Sequence, residues 1–214
     1  MITIKVKKYN FRYLLDDYNS IINRCHLIEE VSENFSFIPN TRITINDKYL
    51  LYEQDLIKKQ DYSKKNNAEK LELLKLFAQD LDRLSETGFS HGDIKLSNVL
   101  YDGTRLILID LEPSFKQIKY GKRVVMSAVP LRSINDLNNK TISSETDKIG
   151  FYLMCNKFLK IPLNIRNSGD LMKKRRNGFE FLPIKESEFM KFNFVDIFSK
   201  INRNINQLSF PTRR

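Results

Sequence analysis

The stretch His91-Gly92-Asp93-Ile94-Lys95-Leu96-Ser97-Asn98, followed by Leu106-Ile107-Leu108-Ile109-Asp110, concentrates the chemically functional side chains of this chain of 214 residues. Asn98 follows Asp93 by five residues, and Asp110 follows Asn98 by twelve. Residues 99–101 and 106–109 are apolar enough to predict two short strands, which the turn dipeptide Asp102-Gly103 would join as a tight hairpin. Such a hairpin would bring Asn98 and Asp110 side by side.

This ordered set resembles the catalytic loop and the metal-binding strand end of the protein-kinase-like superfamily. The resemblance implies that Asp93 is the base that accepts the proton of the attacking hydroxyl. It implies that Lys95 neutralises charge on the transferred phosphoryl group. Asn98 and Asp110 would bind Mg²⁺, and through it the phosphates of ATP. Each residue alone has a plainer interpretation as a cap or turn residue.

Flanking segments extend the resemblance. Apolar residues at helical spacing predict a helix over residues 68–84, and Gly88 supplies a left-handed stop. Residues 145–154 resemble the start of the buried helix whose Asp, here Asp147, organises the catalytic loop from beneath. The alternative is an ordinary helix N-terminus, in which the negative charge of Asp147 interacts favourably with the helix dipole. Pro130 and Asp136 match the family's substrate loop and its Ala-Pro-Glu position only weakly.

The N-terminal part departs from the usual kinase pattern. All seven glycines lie at or after Gly88, so no Gly-rich phosphate loop precedes the catalytic loop. Residues 2–5 resemble the strand whose lysine pairs with the nucleotide phosphates, here Lys5, with Lys7 or Lys8 as alternatives in another register. Residues 49–53 resemble the strand that enters the hinge and ends at Glu53. We therefore expect Lys5 and Glu53 at the nucleotide.

Residues 12–31 carry a broad apolar stripe and resemble the regulatory helix of a kinase small lobe. That helix normally offers a Glu to the strand lysine. The equivalent position falls near Asn23 or Arg24, neither of which can form the ion pair. We therefore do not expect the usual lysine–glutamate bridge.

The motifs themselves are altered. Asp110-Leu111-Glu112 replaces Asp-Phe-Gly, and His91-Gly92-Asp93 replaces His-Arg-Asp. Both forms occur in small-molecule kinases, and the second also in lipopolysaccharide-core and atypical protein kinases. Without the Arg, the motif offers no cation to bind a phosphorylated activation segment, so regulation by such phosphorylation is not expected.

The predicted architecture is α+β, a protein-kinase-like bilobal fold with a reduced N-lobe that lacks the Gly-rich hairpin and a mostly helical C-lobe. Residues 1–55 would form the N-lobe and residues 56–214 the C-lobe of a single kinase-like domain.

Two cysteines indicate a reducing compartment. No apolar run approaches the roughly 20 residues of a membrane span. A soluble, cytoplasmic protein is the expectation.

Positive charge is concentrated in the last quarter of the chain. Residues 157–214 hold 13 Lys or Arg and 5 Asp or Glu, so 13 − 5 = +8 of the formal +10 lies there, with residues 173–176 as the densest cluster. A basic surface of this kind suits a protein substrate or another anionic partner, and nucleic acid is not excluded. A solvated face is the plain alternative.

At the N-terminal end of the chain, the first strand would present an open edge to a partner chain or a second copy.

Two hypotheses from different classes follow. The first is an ATP- and Mg²⁺-dependent phosphotransferase, with a protein Ser/Thr kinase of atypical minimal type ranked ahead of a sugar or lipopolysaccharide kinase. The second is a catalytically weak or inactive pseudokinase that acts as a binding or regulatory module. The retention of Asp93, Lys95, Asn98 and Asp110 together favours the first, because a binding module has no chemical need for all four.

Overall fold

The computed structural model describes residues 4–10, 18–46, 49–111, 132–139, 142–161 and 185–209. Over these residues the elements are strands β1 Ile4–Asn10, β2 Thr41–Ile45, β3 Tyr49–Asp55, β4 Val99–Tyr101 and β5 Leu106–Leu108, and helices α1 Tyr18–Asn34, α2 Asn67–Glu86, α3 Ile134–Asn139, α4 Ser144–Phe158, α5 Glu186–Phe189 and α6 Phe194–Ser209. The α+β class expected from the sequence is confirmed. The basic residues 173–176, the predicted substrate loop at 127–130 and Glu112 lie outside the described residues.

The first sheet contains three antiparallel strands in the order β1-β3-β2, and α1 lies between β1 and β2 in the chain. Alternate side chains of β3 lie on the same face of the sheet, and Leu50 and Tyr52 on that face are fully buried. They belong to the same core cluster as Cys25 and Ile28 of α1. The helix predicted over residues 12–31 is confirmed in its described part and continues to Asn34.

The helix predicted over residues 68–84 is confirmed as α2. It begins at a capping box, in which the Asn66 side chain accepts from the backbone N–H of Glu69 and the Glu69 side chain accepts from the N–H of Asn66. Its end is followed by Gly88 at φ +79°, the left-handed conformation that a glycine adopts without strain. One face of α2 is buried in the core.

Helices α2, α4 and α6 pack together. Phe151 of α4 lies between Phe77 of α2 and Phe194 of α6, with ring centroids 6.3 Å and 5.5 Å away. The Asp82 carboxylate accepts from the backbone N–H groups of Phe194 (2.7 Å) and Val195 (3.1 Å), which supplies the N-terminus of α6 with acceptors from α2. This contact fixes how α6 meets α2.

The second sheet is the predicted hairpin of β4 and β5, but its turn is longer than the two residues expected. The connection spans residues 102–105, and Asp102 Oδ1 accepts from the N–H groups of Thr104 (2.7 Å) and Arg105 (2.9 Å). An aspartate side chain thus replaces part of the strand pairing at the turn. Strand β5 ends at Leu108, one residue earlier than predicted.

The small sheet and the helical part share one core cluster. The Leu108 N–H donates to the carbonyl of Phe37, just before β2, at 2.8 Å, and the Phe37 ring lies 5.9 Å from that of Phe77. The predicted boundary near residue 55 falls where β3 ends, and Gln60 beyond it donates to the Tyr101 carbonyl at 2.7 Å. The division into lobes remains a prediction. None of the described helices is long and apolar enough to cross a membrane.

Candidate active site

Asp93, Lys95 and Asn98 form one hydrogen-bonded unit. Lys95 Nζ lies 2.6 Å from Asp93 Oδ2, and Asn98 Nδ2 donates to the same Oδ2 at 3.2 Å and to the Asp93 carbonyl at 3.0 Å. Asn98 is only 4% exposed, at the end of the short 3₁₀ helix Leu96–Asn98. The amide nitrogen is committed to Asp93, and the amide oxygen, which has only a long 3.5 Å contact from Ser97 Oγ, is the atom that can bind a cation.

Asp110 adjoins this unit through the backbone. The N–H of Ile109 donates to the carbonyl of Asn98 at 2.9 Å, so Asp110 is the next residue after the one paired with Asn98. Asp110 has φ +64°, a left-handed conformation that aspartate tolerates better than most side chains and that is frequent at functional sites. The prediction that the hairpin brings Asn98 and Asp110 close together is supported at the level of the backbone.

His91 ties the loop to the hairpin. Its Nε2 lies 2.9 Å from the Ile109 carbonyl, and its Nδ1 accepts from the Asp93 N–H at 3.2 Å. These two partners assign the proton to Nε2 and the lone pair to Nδ1, which is the neutral imidazole. Complete burial lowers the pKa of His91, in agreement with a neutral ring. His91 therefore fixes the backbone on either side of the site and is not itself a proton donor to a substrate.

Asp147 lies beneath the loop, and the predicted contact is confirmed. Its two carboxylate oxygens accept from the backbone N–H groups of His91 and Gly92, each at 2.7 Å. Burial raises its pKa to about 7, against the lowering effect of those two hydrogen bonds. One turn along α4, Gly150 meets the loop so closely that a Cβ would lie 2.5 Å from the carbonyl oxygen of Ile94. Helix α4 thus supports the loop through one carboxylate and one glycine.

Arg24 is a site residue that the sequence reasoning did not assign. Its guanidinium, from α1, donates to the carbonyl of Ser90, and its Cζ lies 4.0 Å from the centroid of the Phe89 ring. Asp147 is its principal opposite charge. The sequence did contain a signal for this contact, because Arg24 lies beside Cys25 within the apolar stripe of the predicted helix. A cation in such a stripe needs a buried partner. The chain therefore presents a cation to the segment just before the His91-Gly92-Asp93 loop, although the motif itself contains no arginine.

Lys5 and Glu53 both lie in the first sheet, on β1 and β3. In the pairing register Lys5 lies opposite Gln54, and Glu53 lies opposite Val6, which is 55% exposed. Lys8, an alternative to Lys5, has its Nζ 3.9 Å from the centroid of the Tyr49 ring and is exposed. The role of Lys5 and Glu53 at a nucleotide remains a prediction.

Glu53 lines a cleft of about 340 Å³ between α1 and the sheet, together with Glu29, Glu33 and Arg42. No residue of the 91–98 loop lines this cleft. Glu29 is also bonded within it, since its Oε1 accepts from the N–H of Ile43 at 2.7 Å. The cleft is therefore separate from the unit around Asp93.

Among the described residues, no group of three or more His, Cys, Asp or Glu side chains is arranged to bind a metal ion. The predicted Mg²⁺ site needs fewer protein ligands, because Mg²⁺ is commonly bound by one or two carboxylates with phosphate and water oxygens. Asn98 and Asp110 fit that donor set. No protein-family model and no curated protein sequence matches this chain.

Proposed function

We propose that this chain is a phosphotransferase that uses ATP and Mg²⁺ and transfers the terminal phosphoryl group to a hydroxyl, with protein serine or threonine as the first candidate acceptor. The observation that carries the proposal is the bonded unit of Asp93, Lys95 and Asn98, next to which the backbone holds Asp110. A general base, a cation and two oxygen donors within one loop and one hairpin are what phosphoryl transfer requires.

The roles follow from the contacts. Both side-chain bonds to Asp93 are made to Oδ2, so among the described residues Oδ1 is the oxygen available to the acceptor hydroxyl and its proton. Lys95 is about half exposed at the mouth of the site, within reach of negative charge on the phosphoryl group. Asn98 Oδ1 and the Asp110 carboxylate would hold Mg²⁺, which when bound neutralises phosphate charge.

The order of elements supports a kinase-like origin for this site. A strand, a helix and two further strands, with the last strand in the centre of the sheet, precede the catalytic loop. This order agrees with the resemblance of β1 to the third strand of a kinase small lobe. The buried Asp147 under His91 and Gly92 agrees with the same proposal.

A pseudokinase is the second candidate, and the position of Glu53 favours it. Glu53 lines a cleft that does not include the loop, and α1 offers Arg24 to the loop where a kinase helix offers a Glu to the sheet. A chain with this arrangement could bind a partner without transferring phosphate.

Nucleotide titration of two variants separates these candidates. Asp110→Asn should abolish Mg²⁺-dependent ATP binding, because it removes a charged metal ligand, whereas Asp93→Asn should bind ATP as the wild type does and lose transfer. Asp196→Asn, an exposed aspartate of α6, is the matched control. Absence of ATP binding by the wild-type chain would favour the pseudokinase, and unchanged binding by Asp110→Asn would overturn the site assignment.

A further inference from the structure

Helix α1 makes polar contacts with two different parts of the molecule: Glu29 and Ser32 bond β2, and Arg24 bonds the segment before the His91-Gly92-Asp93 loop. At Glu29 its carboxylate accepts from the N–H of Ile43 in β2 at 2.7 Å. At Arg24 its guanidinium donates to the carbonyl of Ser90 and lies 4.0 Å from the centroid of the Phe89 ring. These points are separated by about 7.5 Å along the helix axis, at a rise of about 1.5 Å per residue. One rigid helix therefore bonds both the three-stranded first sheet and the segment that enters the catalytic loop.

The Arg24 contact is charged and partly buried, and the residues that it contacts are themselves buried. Phe89 and Ser90 are 1% and 8% exposed, and the Arg24 Nε has no hydrogen-bond partner among the described residues. Burial lowers the pKa of Arg24 to about 10, so the guanidinium stays cationic near neutral pH. The titratable groups that act on Arg24 are Asp147, Cys25 and His91, and Asp136 from α3 acts in turn on Asp147. A cation kept in such a place stabilises a particular arrangement of its neighbours.

We propose that Arg24 is a positioning residue that fixes residues 89–91 against α1 and thereby sets the direction of the loop that carries Asp93. Its catalytic consequence rests on the phosphotransferase function proposed above. An arginine of α1 makes this contact. The position of the loop therefore depends on neither a phosphorylated activation segment nor a lysine–glutamate bridge. Coupling of the sheet to the loop runs through Glu29, α1 and Arg24.

Hydrogen exchange of the full chain tests the positioning without any need for activity. Removing the charged donor in Arg24→Met should speed exchange of the His91 and Gly92 amides by about tenfold or more, while exchange in α2 stays unchanged. Arg24→Lys retains the charge and loses the planar group over Phe89, so it should give an intermediate increase. Arg203→Met, at an exposed position on α6, is the matched control and should match the wild type.

Kinetics give a second readout that a purely structural role would not move. Arg24→Met should lower kcat with little change in KM for ATP, and should shift the acid limb of the rate profile to higher pH, because Arg24 favours the charged form of Asp147. Unchanged exchange at His91 and Gly92, or an increase no larger than that in α2, would overturn the proposal. If the wild type transfers no phosphate, the function proposed above fails, and the exchange comparison alone decides the role of Arg24.

Discussion

Replacing Gly150 by alanine separates catalysis from stability. The new Cβ would lie 2.5 Å from the carbonyl oxygen of Ile94 and 3.1 Å from its Cβ, where ordinary contact begins at 3.4 Å. The loop and α4 must therefore separate by about 0.9 Å, since 3.4 − 2.5 = 0.9. A misplacement of about 1 Å at a reacting group costs on the order of 100-fold in rate. We expect transfer by Gly150→Ala to fall by that factor.

The expected effect on the free energy of unfolding is small. Overpacking costs about 1–3 kcal/mol. Alanine is favoured over glycine inside a helix by about 1 kcal/mol. The net destabilisation should be about 0–2 kcal/mol, which denaturant unfolding measures.

Gly103→Ala is the matched control. Gly103 has φ +110° in the turn between β4 and β5, and the nearest atom to its Cβ would be in Gln60, at 3.5 Å. Strain of about 1–3 kcal/mol is expected there, with no displacement of the 91–98 loop. The initial rates of phosphate transfer by the two variants are compared under the same conditions. A Gly150→Ala rate within threefold of that of Gly103→Ala would refute the argument from loop displacement.

Further predictions concern pH, capping and helix ends. Burial raises the pKa of Asp147 from 3.8 to about 7, so the stability this group contributes should rise as the pH falls from about 7 towards 4, and Asp147→Asn should remove that rise in thermal melts. Over the same interval transfer should decline, because a protonated carboxyl cannot accept from both His91 and Gly92 as the carboxylate does. Asp82→Ala removes the acceptors at the start of α6 and should cost about 1–2 kcal/mol in denaturant unfolding, with Asp196→Ala as the comparison. Asn66→Ala breaks the capping box of α2 and should cost about 1 kcal/mol in the same measurement, whereas exposed Asn67→Ala should change it little.

Local patterns in the sequence predicted the local elements well. Helix α2 follows from apolar spacing, and its termination from Gly88, because periodicity and a left-handed glycine act within a few residues. The β4–β5 hairpin was predicted for the same reason. Its turn length was wrong because Asp102 bonds two backbone N–H groups of its own loop and so closes four residues rather than two.

Contacts between distant segments were harder to predict from the sequence. Asp147 was found because a resemblance supplied its partner, 56 residues earlier in the chain. Arg24 had no such guide, and its partner Ser90 lies 66 residues away. A buried cation in an apolar stripe signals that a partner exists, but only the packing of α1 against the loop identifies it. That Glu53 lines a cleft without any residue of the 91–98 loop depends in the same way on how the sheet is assembled.

Two classes of acceptor suit the proposed site. Lys95 beside Asp93 suits a protein hydroxyl, as in Ser/Thr kinases, whereas the His91-Gly92-Asp93 form is shared with sugar and lipopolysaccharide kinases. Both acceptor classes require the same base and the same metal ligands. They therefore belong in one experiment.

The most direct test of the central claim is transfer of radiolabelled phosphate from Mg-ATP by the purified chain, to itself, to a protein acceptor and to glycan acceptors. We expect label on at least one acceptor, and a loss on the order of 100-fold or more in both Asp93→Asn and Asp110→Asn. Asp196→Asn should label as the wild type does. No label on any acceptor with the wild-type chain, or undiminished label with Asp110→Asn, would contradict the account.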